Sequence, residues 1–67
     1  LKGLFYEVGD RVELFSHSYD SEGEIEYGDC GVVIDEKSDL FNGCYEQDLR
    51  VEFDNGYEAW VPAEDFR

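Results

Sequence analysis

The chain has 67 residues, 42% hydrophobic and 16% aromatic, and its 18 acids against 5 Lys and Arg leave a formal charge of -13. That composition describes one folded domain rather than a disordered acidic tail. It also disfavours nucleic acid, anionic lipid and acidic proteins as partners, because holding phosphates takes basic groups that release counterions. A domain this short buries only roughly 60% of its unfolded surface, its core seldom contributes more than about 3–5 kcal/mol, and self-repulsion erodes that margin. No apolar run approaches the roughly 20 residues of a membrane span and no signal-peptide pattern appears, so no membrane partner and a cytoplasmic location are expected. The chain does not begin with Met, which leaves an upstream segment open.

Val8-Gly9-Asp10 reads as a turn into a first strand, Arg11-Val12-Glu13-Leu14-Phe15, where Val12 and Leu14 alternate with Arg11 and Glu13. Ser16 to Asp29 is a first long loop, and within it Asp20, Glu22, Glu24 and Glu26 recur at every second position. If extended, that spacing places four carboxylates in one stripe and turns Ile25 and Tyr27 the other way, so that the segment docks as its own hairpin. Cys30-Gly31-Val32-Val33-Ile34-Asp35 is a β-branched strand opened by Gly28 and Gly31, covered on both faces or sharply bent. Asp35 to Asp48 is a second long loop with Asn42-Gly43 as a turn signal. Leu40 and Phe41 lie near its tip, where tucking under the loop is favoured over an exposed apolar contact.

Leu49-Arg50-Val51-Glu52-Phe53 and Tyr57-Glu58-Ala59-Trp60-Val61 form a hairpin around Asp54-Asn55-Gly56. A two-residue Asn55-Gly56 loop mixes apolar and acidic side chains on both faces. A three-residue loop with Gly56 in the left-handed region gives one face of Leu49, Val51, Phe53, Tyr57, Ala59 and Val61, and register follows the buried face. Trp60 is then turned outward opposite Arg50, where a cation–π contact is possible, unless a neighbouring loop buries it. Pro62 cannot donate to a ladder, so Pro62-Ala63-Glu64-Asp65 is expected as a short turn or one turn of 3₁₀ helix before Phe66 closes the sheet.

No reaction is legible. Cys30, Cys44 and the single His17 fall short of the four ligands of a structural zinc site. Two reduced thiols, with Cys30 in the core, are favoured over a disulfide. His17 beside a charged loop reads as solvated, and no signature supports a Cys–His nucleophile. The acids from Asp20 faintly resemble a calcium loop but lack its glycine at position 6 and glutamate at position 12. No catalytic residue, metal or cofactor is assigned.

Gly9-Asp10-Arg11-Val12, Gly28 to Val33, Arg50-Val51-Glu52-Phe53, and Trp60-Val61-Pro62 with Glu64-Asp65-Phe66 together resemble the small SH3-like β-barrel. The skeleton is similar to the nitrile hydratase β-subunit domain and the variable chain of ferredoxin–thioredoxin reductase, and it also resembles Tudor and KOW domains. The resemblance implies an all-β barrel of about five antiparallel strands with two long loops, spanning residues 1–67. In the first two relatives the barrel is an accessory surface, and the metal or redox chemistry belongs to another subunit. Ferredoxin is itself acidic, which speaks against a ferredoxin-docking role here. The motif with which signalling SH3 domains bind proline-rich peptides is not found. Tudor domains hold methylated Lys or Arg in an aromatic cage; Tyr6, Phe15, Tyr57 and Trp60 could contribute to one, although they match no cage pattern position by position.

These readings leave three functions. The first is an interaction barrel binding a basic protein or peptide, with Asp20, Glu22, Glu24 and Glu26 steering and Phe41, Tyr57 or Trp60 anchoring. The second is a nucleic-acid mimic occupying the basic groove of a nucleic-acid-binding protein. Alternate strand residues lie about 6.8 Å apart against roughly 3.4 Å per charge on a DNA strand, so mimicry also needs acids from Glu46, Asp48, Glu52 and Glu58. The third is an accessory domain whose acids only solvate it. The first is expected.

Overall fold

A computed structural model describes residues 6–67, with the side chain of Phe41 outside the described set. The chain forms a four-stranded antiparallel sheet in the order β1-β2-β3-β4. Its strands are β1 (Arg11–Glu13), β2 (Cys30–Phe41), β3 (Cys44–Phe53) and β4 (Glu58–Pro62). Two 3₁₀ turns, Asp20–Glu22 and Ala63–Asp65, are the helical content among the described residues, and no helix among them is long and apolar enough to cross a membrane.

The alternation in β3 sets the core. Gln47, Leu49, Val51 and Phe53 point inward while Glu46, Asp48, Arg50 and Glu52 point out, as a period of two requires. The inward row packs with Val12 and Leu14 from the β1 region, Val33 of β2, Val61 of β4, and Ala63 and Phe66 beyond it. Ile25 reaches this core from the loop between β1 and β2. Gly31 pairs with Phe53, and a Cβ at Gly31 would stand 2.6 Å from the Glu52 carbonyl oxygen. Only glycine permits that approach.

The β-branched run of β2 is bent. A register shift between Val33 and Asp35 marks a bulge that leaves Val33 fully buried and Ile34 38% exposed. The β3–β4 hairpin has the expected three-residue loop. Gly56 adopts φ 92°, its N–H donates to the Phe53 carbonyl at 2.8 Å and the Phe53 N–H donates to the Tyr57 carbonyl at 2.8 Å. Val51 then faces Ala59, and Arg50 faces Trp60.

Several expectations are corrected. Residues 35–48 are a paired arm rather than a second long loop: β2 and β3 continue to Phe41 and Cys44 around Asn42 (φ 52°) and Gly43 (φ 78°), the two-residue geometry that an Asn-Gly turn favours. Leu40 at its tip is 70% exposed, so it does not tuck under. The stretch 20–26 is not an extended stripe: Asp20–Glu22 is a 3₁₀ turn ended by Gly23 at φ 83°, and these residues form no strand. The reason is Ile25, whose burial pulls the chain inward, while no strand among the described residues pairs with 20–26 to hold it extended. Tyr27 accordingly does not share the environment of Ile25 but stays exposed. Finally, Cys30 is only half-buried and outside the core, although both Cys30 and Cys44 are free thiols, as expected.

The C-terminal segment runs beside β1. Leu14 bridges Phe66 antiparallel. Glu13 and Arg67 exchange two backbone hydrogen bonds of 2.9 Å, and the Phe15 N–H donates to the Asp65 carbonyl at 2.7 Å. Pro62, lacking a donor, starts the turn that carries the chain there.

Candidate functional site: the acidic loop and the exposed aromatics

The acidic loop is ordered by side chains rather than by a ladder. Asp20 accepts from His17 Nδ1 at 2.8 Å through Oδ2 and from the Tyr27 N–H at 3.0 Å through Oδ1. These donors, His17 first, hold its carboxyl below the usual aspartate range. The Glu26 N–H donates to Asp29 Oδ2 at 3.0 Å. Asn55 Nδ2 donates to the Glu24 carbonyl at 2.8 Å, which fastens the loop tip to the β3–β4 turn. Tyr19 donates to Asp65 Oδ2 at 2.7 Å; burial first, then this bond to a carboxylate, raises its pKa well above the ordinary tyrosine value.

Of the expected site residues, the fold therefore brings Asp20, Glu22, Glu24 and Glu26 together on one loop, though not as a regular row. Tyr57 begins just after the turn that Asn55 ties to this loop, its N–H bonded to Asn55 Oδ1 at 2.9 Å. Trp60 lies elsewhere, on the outer face of the sheet, 45% exposed. It stands opposite Arg50 as the register requires, yet the cation over its ring is Lys37, with Nζ 5.5 Å from the centroid, while Arg50 pairs with Glu58 at 3.0 Å. Phe41 pairs through its backbone with Cys44 at the end of the β2–β3 arm, and its side chain lies outside the described residues.

Two features escape a reading of the sequence. Gln47 is buried, and its amide clasps the backbone of Tyr6: Oε1 accepts from the Tyr6 N–H at 2.9 Å and Nε2 donates to the Tyr6 carbonyl at 2.8 Å and to Glu36 Oε1 at 2.9 Å. The donors Gln47 and Ser38 hold the Glu36 carboxyl below its ordinary value. The second is a row of rings on the loop. His17 stacks on Tyr27 with centroids 4.4 Å apart, Tyr27 lies 5.3 Å from Phe15, and the Arg67 guanidinium sits 4.1 Å over Phe15. The Gly28 N–H bonded to the Leu14 carbonyl at 2.8 Å brings Tyr27 back beside Phe15. The one available signal was Gly28, read as opening the following strand but not as a loop closure.

Among the described residues, no group of three or more His, Cys, Asp or Glu is placed to hold a metal ion. Among known proteins, no family model, no curated protein and no solved structure matches this chain.

Proposed function

We propose that this chain is a non-catalytic interaction domain that binds a basic protein surface or peptide, with the acidic loop steering the partner and exposed aromatics anchoring it. The observation that carries the reading is the fate of the cations. Every Lys and Arg among the described residues is engaged within the chain: Arg11 by Asp54, Arg50 by Glu58, Arg67 by Glu13 and Phe15, and Lys37 by Trp60. All 18 acids lie within those same residues, so the outward field is negative and draws cationic surfaces. Tyr57 adjoins the loop and supplies a first apolar anchor; Trp60 supplies a second contact on the sheet.

The fold we assign is an SH3-like barrel. The pairing of Leu14 with Phe66, and of Glu13 with Arg67, supports it, because it sets the segment after β4 against β1 at the opposite end of the sheet. The nucleic-acid mimic ranks second, since the regular alternate spacing on which it relied is replaced by a 3₁₀ turn.

The test is capture from cell lysate at low salt, with and without excess duplex DNA, using the parent and a Glu22→Lys, Glu24→Lys, Glu26→Lys variant. A basic partner that survives DNA and is lost with the charge reversal supports the reading. Nucleic-acid-binding proteins displaced by DNA support the mimic, and capture indifferent to the reversal overturns the role of the loop.

A further inference from the structure

We infer that the ring row Phe15, Tyr27 and His17 is a docking site for arginine side chains of a basic partner segment. This rests on the reading of the chain as a binder of basic partners and names the place and the residue type.

The row is exposed where a small domain would gain by burying it: Phe15 is 47% and Tyr27 39% exposed. It is also held in place. Phe15 is fixed through its N–H by Asp65 and Tyr27 through its N–H by Asp20, and the His17 ring is fixed by Asp20 and by its stack on Tyr27. A ligand would therefore meet rings already arranged, with little ordering cost on this side.

The chain itself displays the recognition chemistry. Arg67 lies 4.1 Å over the Phe15 ring while its Nε reaches Glu13 Oε1 at 3.4 Å. A guanidinium stacked on a ring with a carboxylate at its edge is a pairing for which a planar, weakly hydrated cation is better suited than a compact, strongly hydrated ammonium. Farther along the row Tyr27 and His17 repeat the ring surface, and Asp20 at the His17 end supplies a carboxylate as Glu13 does at the Phe15 end. Aromatic faces bounded by carboxylates complement arginine in both respects, and the net charge of -13 draws such a segment in.

The probes are hexa-arginine and hexa-lysine, titrated at low salt into ¹⁵N-labelled full chain and followed by NMR. Hexa-arginine is expected to bind about 3-fold tighter than hexa-lysine, the scale of an exposed cation–π contact. Its shifts should centre on Phe15, His17 and Tyr27. Tyr27→Ala and Phe15→Ser should each abolish that preference, while Tyr27→Phe should keep it; retained backbone spectra separate loss of binding from loss of fold. Equal affinity for both peptides, or arginine-selective shifts at Trp60 that ignore the Tyr27 and Phe15 variants, overturns this site but leaves the binding of basic partners standing. No binding of either peptide overturns both.

Discussion

Gln47 offers the sharpest test of how the structure is held together. Gln47→Met keeps length and apolar stem but removes all three hydrogen bonds of the amide, leaving the half-buried Tyr6 N–H and carbonyl without their partner and Glu36 without its main donor. A backbone group left unpaired costs about 1–3 kcal/mol, but the segment around Tyr6 can peel away into water, which limits the loss. We expect a net destabilisation of about 2 kcal/mol, or a drop in Tm of roughly 8–16 °C at about 4–8 °C per kcal/mol for a domain of this size. Gln47→Glu should be worse near neutrality, since a second carboxylate would face Glu36 Oε1 and the Tyr6 carbonyl where a donor now stands. Burial beside Glu36 raises the folded-state pKa of that new acid. Its penalty is therefore absent below the unfolded value of about 4.3, grows as pH rises through the folded value, and is complete above it. Thermal melts by circular dichroism from acid to neutral pH, together with hydrogen exchange at the Tyr6 amide, provide the readout. A Gln47→Met protein melting with the parent, its Tyr6 amide equally protected, would refute the latch.

Gly31→Ala should destabilise by about 1–3 kcal/mol, because the added methyl meets backbone atoms of Glu52 and Phe53 that cannot swing aside; a denaturant midpoint equal to the parent's would contradict the close strand approach. Tyr19, with its pKa raised by burial and by Asp65, should contribute stability that is complete below the unfolded tyrosine value of about 10 and is lost as pH rises through the folded value. An ultraviolet titration should thus find one of the five tyrosines resisting ionisation, and in Tyr19→Phe that resistant group should be gone. Asp20 works in the opposite direction: its lowered pKa gives stability present above the ordinary aspartate value of 3.8 and lost as pH falls through the folded value. Asp20→Asn should therefore flatten part of the acid limb of a pH–stability curve, and an unchanged limb would remove the His17–Asp20 contact from the account. Raising NaCl from about 10 to about 150 mM, which shortens the screening length from roughly 30 to 8 Å, should raise Tm by relieving repulsion among the acids; a fall would mean that the exposed ion pairs of Arg11, Arg50 and Arg67 matter more than the excess charge.

Where a residue's environment follows from strand period and turn chemistry, the sequence alone determined it. The alternation of Leu49, Val51 and Phe53 demanded one buried face, and that demand fixed the three-residue loop at Gly56 and the pairing of Arg50 with Trp60, whereas the exposure of the indole was settled only by the absence of a covering loop among the described residues. Pro62 and the closing role of Phe66 followed from a missing donor and an apolar residue beyond it. The β2–β3 arm was hidden because its facing positions, with Glu36 and Ser38 on one strand and Gln47 on the other, carry no apolar period; backbone pairing around Asn42-Gly43 and the Gln47–Glu36 hydrogen bond hold them in register. The acidic residues show the converse. Their spacing of two is the period of a strand, yet period is a preference that needs a neighbouring ladder to be realised, and the burial of Ile25 with the Asp20–Tyr27 bond closed that segment into a loop instead. Contacts between residues far apart in the chain belong to the tertiary structure alone. Gln47 meets Tyr6 41 positions away, and Phe15, His17, Tyr27 and Arg67 form one row only after the loop turns back at Gly28 and the C-terminal segment pairs beside β1. Local pattern records which face of a strand turns inward; which side chains meet across a loop depends on where the closed chain brings them.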